Sequence, residues 1–192
     1  MYGRLLLALG YLSAPFAGPG SAVITAAGWL VYGSETRRPT YSWVGLAGLL
    51  GVAGVLAGRY GSVSGFEGGG GLLLLAYYVL SIAMIWFVGV KNGNGALKLA
   101  AAFLAVSFIL AASGSSNVSE AAVAASGRVV DWGGLSCANE AAHNLIEAVG
   151  GPVALARLSA AAGAVFAAIG FMGLAEARQG MHEETVFSMG VY

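Results

Sequence analysis

Four residues in the longest polar stretch of the chain have the types and spacing to do chemistry together. Glu140, His143, Asn144 and Glu147 follow i, i+3, i+4 and i+7 spacing, which places them on one face of a helix. Glu-x-x-His offers a carboxylate and an imidazole at the separation used by carboxylate-bridged di-metal sites. Such a site also takes a second pair and further Glu residues from other helices. The chain has two histidines and no second Glu-x-x-His. Ala141, Ala142, Leu145, Ile146 and Val149 occupy the opposite face, so the segment reads as an amphipathic helix resting on a bundle or a membrane surface. No metal and no cofactor is expected here.

Other chemistries fail on residue count. Cys137 is the single cysteine, so no internal disulfide or redox pair can form. Asp131 is the single Asp, which removes an intramembrane Asp-pair protease. His143 and His182 both lie in polar segments, so paired-His heme ligation has no basis. Gly68 to Gly71 carries no Lys-Ser/Thr and has no P-loop context. Tyr77, Tyr78, Ser81 and Ser107 are the few polar side chains deep within apolar sequence. Hydrogen bonding between helices or to the backbone is their expected role, and a solute path could also use them.

The elements that must position these groups are set by where charge is absent. Residues 5–34, 39–58, 68–90, 99–119 and 158–175 contain no Asp, Glu, Lys or Arg. A helix rises about 1.5 Å per residue and the hydrocarbon core is about 30 Å thick, so roughly twenty apolar residues span it. Charged residues make up only 9% of the chain and mean hydropathy is +0.78, against roughly 25% charged in a soluble domain. The 192 residues leave no room for a separate catalytic domain, and zero net charge gives nucleic acid no electrostatic footprint.

Pro15, Gly18, Pro19 and Gly20 interrupt the first stretch. Proline fixes φ and removes a helix hydrogen bond, so two short helices in a hairpin are expected, about residues 3–16 and 20–33. A cleaved signal peptide is the rival reading; the apolar character continues to Tyr32 and no A-x-A site precedes Gly20. Further spans are expected at 41–60, 71–90, 97–113 and 152–175, with a glycine-rich linker over Gly61 to Gly71 and a tight turn at "NGNG". The fold class is all-α: an integral membrane helical bundle of five or six transmembrane helices with a broken N-terminal hairpin.

Short loops rich in Lys and Arg stay cytoplasmic. Arg4, Arg37, Arg38, Lys91, Lys98 and Arg178 fall on one side, and Arg59, Arg128 and Arg157 on the other. The protein is therefore expected in the cell membrane with its termini on the cytoplasmic side and residues 115–151 outside, which would expose the glycosylation pattern at Asn117. Trp43, Trp86 and Trp132, with Tyr41, Tyr60 and Tyr192, lie near span ends and read as interfacial anchors.

Small residues form two seams. Ala47, Gly51, Gly54, Gly58 and Gly61 share one helix face, and Ala160, Ala164 and Ala168 share another. In lipid, helices associate by close packing, and such seams let backbones approach, either within one chain or between copies.

Three segments resemble a family of uncharacterised archaeal multi-pass membrane proteins, catalogued as domain of unknown function 996. "LALGYLSAPFAGPGSAVITAAGWLVYG" is similar to its opening hairpin, "YSWVGLAGLLGVAGVLAG" to its next span and "GALKLAAAFLAVSFILA" to a later one. The chain departs from that pattern in lacking a charged amphipathic stretch after "WFVGV" and in its longer polar insertion. The resemblance implies an integral membrane protein with no assigned activity.

Three functions remain. The first is a non-enzymatic subunit or self-associating scaffold, with membrane lipid and a homo-oligomer or larger complex as partners and no nucleic acid. The second is a channel or facilitator for a small neutral solute. The third, an enzyme using the external cluster Glu140, His143 and Glu147, has the least support, and the chain is expected not to be an enzyme.

Overall fold

A computed structural model describes residues 2–17, 20–60, 66–114 and 152–188, with side-chain surroundings for 2–17, 20–57, 69–113 and 155–174. Its elements are α1 (Tyr2–Ala17), α2 (Ser21–Glu35), α3 (Pro39–Tyr60), α4 (Phe66–Lys91), α5 (Gly95–Gly114) and α6 (Pro152–Ser188). All described regular structure is helical. Each helix packs on its neighbour in sequence, and α6 also packs on α1, so the six close into a ring.

Four helices contain segments long and apolar enough to cross a membrane: Pro39–Ala57, Gly69–Lys91, Gly95–Ser113 and Leu155–Leu174. Between 28% and 44% of each of these segments is buried in the bundle. The outward remainder is apolar, with Leu50, Leu72, Ile109 and Ile169 all exposed, as a lipid-facing surface requires. This is a membrane protein by its helices.

The first two helices are shorter. At 16 and 15 residues they measure about 24 and 22 Å. Pro15 sits inside the last turn of α1, where the helix is about to end, so the expected break falls at the tip and not mid-helix. Gly10 and Gly28 let the pair close together: a Cβ on Gly10 would lie 2.7 Å from the Thr25 nitrogen, and one on Gly28 would lie 2.8 Å from the Leu7 nitrogen.

Tight turns fix one end of the ring, which carries Arg4, Arg37, Arg38, Lys91 and Lys98 and is here termed the basic end. Helix α2 stops with Arg37 at φ 53°, and the Arg38 N–H donates to Gly33 O at 2.9 Å. Helix α4 stops the same way with Gly93 at φ 64°, the Asn94 N–H donating to Gly89 O at 2.9 Å. Both follow the Schellman pattern. Asn94 then caps α5, its Oδ1 accepting from the Leu97 N–H, while its Nδ2 donates to Gly170 O on α6 at 3.0 Å.

One expected boundary is corrected. Gly68 to Gly71 belong to α4 and not to a linker, because the helix already begins at Phe66. A Cβ on Gly70 would fall 2.5 Å from the carbonyl carbon of Gly54, so the glycines bring α4 against the α3 backbone. Helix α6 also runs on to Ser188, beyond the expected span end at 175.

Candidate functional site

The six helices enclose two unlike halves. Toward the basic end, aromatic rings fill the ring's centre. Trp29 lies 5.6 Å from Tyr41 and 5.8 Å from Phe171, Tyr32 lies 5.2 Å from Tyr41, and Tyr11 stacks on Phe171 at 6.1 Å. Trp29 and Phe171 are fully buried, as are Leu7, Ile85 and Leu97 around them. Tyr41, expected as an interfacial anchor, is only 3% exposed because Trp29 covers it. Trp43 and Trp86 do face outward, at 68% and 51%. The side chain of Tyr60, and all of Trp132 and Tyr192, lie outside what the structure describes.

Outward electrostatics hold this half shut. Arg4 donates to Leu174 O at 2.5 Å and its guanidinium lies 5.9 Å from the Tyr32 ring centre, clasping α1, α2 and α6. Glu35 accepts from the Gly3 N–H at 3.3 Å, a first-turn donor of α1. Partial burial pushes the Glu35 carboxyl up, but hydrogen bonds at the α1 N-terminus, including that from Gly3, outweigh it and hold the carboxyl below the usual range.

The other half holds a cavity lined by Tyr11, Ser21, Thr25, Tyr77, Tyr78 and Ser81, with apolar walls from α5 and α6 such as Leu104 and Ala164. It is partly open, and about 30 Å³ of it is accessible to the centre of a water molecule. One water needs roughly 10–15 Å³ on that measure, so about two waters or one solute of similar size fit.

Its depth follows from helix register. Gly48 approaches the Tyr77 ring and Ala26, and Gly48 is nine residues from either end of the Pro39–Ala57 segment. The Tyr77 hydroxyl donates to Thr25 Oγ1 at 2.6 Å, so the cavity sits near mid-depth. Beyond this level α3 continues about 18 Å to Tyr60 and α4 about 16 Å to Phe66, but α2 only about 6 Å to Ser21 and α1 about 10 Å from Gly10 to Ala17. The hairpin thus ends short of its neighbours and leaves the cavity beside its tip.

The hydroxyls differ in what they are given. Thr25 Oγ1 donates to Ser21 O at 3.1 Å and Ala22 O at 3.2 Å, and its lone pair takes the Tyr77 proton. That chain is complete. Tyr11 Oη, Tyr78 Oη and Ser81 Oγ are buried and find no hydrogen-bond partner among the described residues. Tyr11 lies beside the Trp29 indole and Ser81 without bonding geometry to either. Ser107 Oγ and Trp29 Nε1 are likewise unpartnered but are not among the lining residues. A buried hydroxyl left unpaired costs about 1–3 kcal/mol, so three around one cavity mark a place where a solute or water completes the bonding.

The small-residue seams pack inside the chain. A Cβ on Gly51 would lie 2.8 Å from Leu74 N, and Gly54 abuts Gly70. Ala47 is half-buried, Gly58 is helical, and Gly61 lies outside the described residues. Ala160, Ala164 and Ala168 are buried, and Ala160 and Ala164 line the cavity. Glu140, His143 and Glu147 lie outside the described residues, as does Asn117. Among the described residues no cluster of His, Cys, Asp or Glu could hold a metal.

Deep polar residues on α4 were visible in the sequence, but Tyr11, Ser21 and Thr25 were not singled out. Their signal was position on the two helices that flank the hairpin break, which bring Gly10 and Thr25 to the level of Tyr77. Compared with protein-family models, curated proteins and solved structures, the chain finds no match.

Proposed function

We propose that this is a facilitator for a small neutral solute. Four helices cross the membrane, and the α1–α2 hairpin enters from the basic end and returns to it. The carrying observation is the mid-depth cavity with three buried, unpartnered hydroxyls. Among the described residues that line it none is ionisable in the ordinary pH range, so it offers hydrogen bonds without a proton or metal-ion ligand. Broken, short helices whose ends reach the membrane interior mark solute sites in transporters, and irregular backbone at that depth is tolerated where it lines a cavity.

The aromatic half is the closed barrier of this facilitator, and passage requires it to part. The basic end faces the cytoplasm by its Lys and Arg content, so the cavity is reached from the outside. A scaffold role draws less support, since Gly51, Gly54, Ala160 and Ala164 pack on other helices of their own chain. The test is stopped-flow light scattering of proteoliposomes challenged with water, formamide and glycerol. A permeability to water or formamide above that of protein-free vesicles is expected; equality for every solute would refute the reading.

A further inference from the structure

The cavity's donors and field point to one side of hydrogen bonding. Helix α2 begins at its wall: Ser21 and Thr25 line it, and Gly20 at the N-cap provides no side-chain hydrogen bond to the first turn. A helix leaves its first N–H groups without intrahelical partners and carries about half a positive charge at that end. Ser81 and Tyr11 independently point to a ligand, being 4% and 8% exposed with unpartnered hydroxyls at the same cavity.

The one charge inside a described crossing segment near this half is also positive. Arg157 on α6 lies seven residues from Ala164 and three from Ala160, both cavity-lining, and at about 100° per residue the three fall within about 60° of one another. Arg157 is therefore on the inward stripe of α6, about 10 Å from the level of Ala164 toward the end opposite the basic one. Its Nε is buried and has no hydrogen-bond partner among the described residues. Among the described residues that line the cavity there is no carboxylate to reverse this sign.

Resting on the facilitator reading, we propose that the cavity selects solutes that bind through a hydrogen-bond-accepting atom, such as a carbonyl oxygen, and excludes cations. The hydroxyls of Tyr11, Tyr78 and Ser81 donate to that atom, and the positive end of the α2 dipole favours the partial negative charge it carries. The serine and tyrosine oxygens can also accept, so a neutral amide with one acceptor and one donor end satisfies the site on both sides. An organic cation meets the positive end of α2 and passes Arg157, and both oppose it.

Formamide, formate and formamidinium form a test series of nearly one shape, each with three non-hydrogen atoms, carrying charges of zero, minus one and plus one. Flux of each is measured in proteoliposomes, with sulfate as the added counter-ion for the cation and sodium for the anion. Thermal unfolding of the detergent-solubilised protein is followed with the same three compounds, since a ligand that binds only the folded state raises the transition temperature. The expected result is formamide flux at least tenfold above formamidinium flux, with formamide or formate stabilising the protein and formamidinium not. In Arg157→Gln the formamidinium flux should rise toward that of formamide, and in Ser81→Ala the stabilisation by formamide should shrink.

Equal flux of formamide and formamidinium would overturn the acceptor selectivity while leaving a facilitator standing. Stabilisation by formamide with no flux of any solute would remove the facilitator and leave the acceptor site. Neither flux nor stabilisation would remove both.

Discussion

The half of the bundle at the basic end and the half beside the hairpin tip use the same kinds of residue to opposite ends. At the basic end, aromatic groups are spent on one another, and the ring hydroxyls and indole are surrounded by stacked neighbours. Beside the tip, tyrosines and a serine line open space, and three of their hydroxyls find no partner among the described residues. Tyr11 belongs to both, stacking on Phe171 and lining the cavity. The difference teaches that burial alone does not tell packing from function in a membrane bundle. What separates the halves is what the uncompleted polar atoms face: Trp29 Nε1 is enclosed by rings, whereas Tyr78 and Ser81 line open space.

Breaking the aromatic half should have the largest effect on stability. Phe171→Ala deletes a fully buried ring that contacts three others, and should cost about 2–3 kcal/mol. That is below the 3–5 kcal/mol seen in water-soluble cores, because the unfolded helix leaves the ring in lipid and not in water, so mainly the cavity term remains. Thermal unfolding in detergent measures it; a transition temperature unchanged from wild type would mean that the aromatic half is not tightly packed.

Next comes the joint between the halves. Gly10→Ala places a methyl 2.7 Å from Thr25 N, where backbone must move, so a loss of about 1–3 kcal/mol is expected. The same change should disturb formamide flux, since Thr25 carries the Tyr77 bond at the cavity wall. Loss of stability with flux intact would show the hairpin tip to be irrelevant to the site.

Adjacent tyrosines sharpen the comparison further. Tyr77→Phe removes a completed interhelical hydrogen bond and should cost about 0.6–1.7 kcal/mol. Tyr78→Phe removes an uncompleted one and should be neutral or slightly stabilising. The difference in transition temperature between the two variants reads this directly, and a reversed order would contradict the assignment of partners.

The smallest effect lies at the basic end's surface. The Glu35 carboxyl titrates below its unfolded value, so its contribution is present above the unfolded pKa and lost as pH falls through the folded one. Glu35→Gln should lower the transition temperature slightly at pH 7 and flatten its fall below pH 4.5. An unaltered acid profile would show that the α1 N-terminus gains nothing from the carboxylate.

Much of this architecture was legible in the sequence because lipid imposes strong rules. Charge-free lengths located the helices, and Pro15 with Pro19 announced the hairpin. The glycines at 68–71 misled, since helix propensity disfavours them, whereas close approach to Gly54 and the demand for backbone hydrogen bonding in lipid override propensity. Tyr41 misled for a similar reason: nearness to a span end does not reveal that Trp29 covers it. Tyr77, Tyr78 and Ser81 were visible as deep polar groups. Which of them is satisfied depends on Thr25, more than fifty residues away, and no local pattern records that pairing.

The most direct test of the account is the formamide permeability of Tyr78→Phe/Ser81→Ala in proteoliposomes, beside wild type at equal protein density. The variant loses two hydroxyls that the fold leaves unpartnered, so it should reconstitute normally and lose at least tenfold of the protein-dependent flux. Flux equal to wild type would contradict the central claim that these hydroxyls serve a solute.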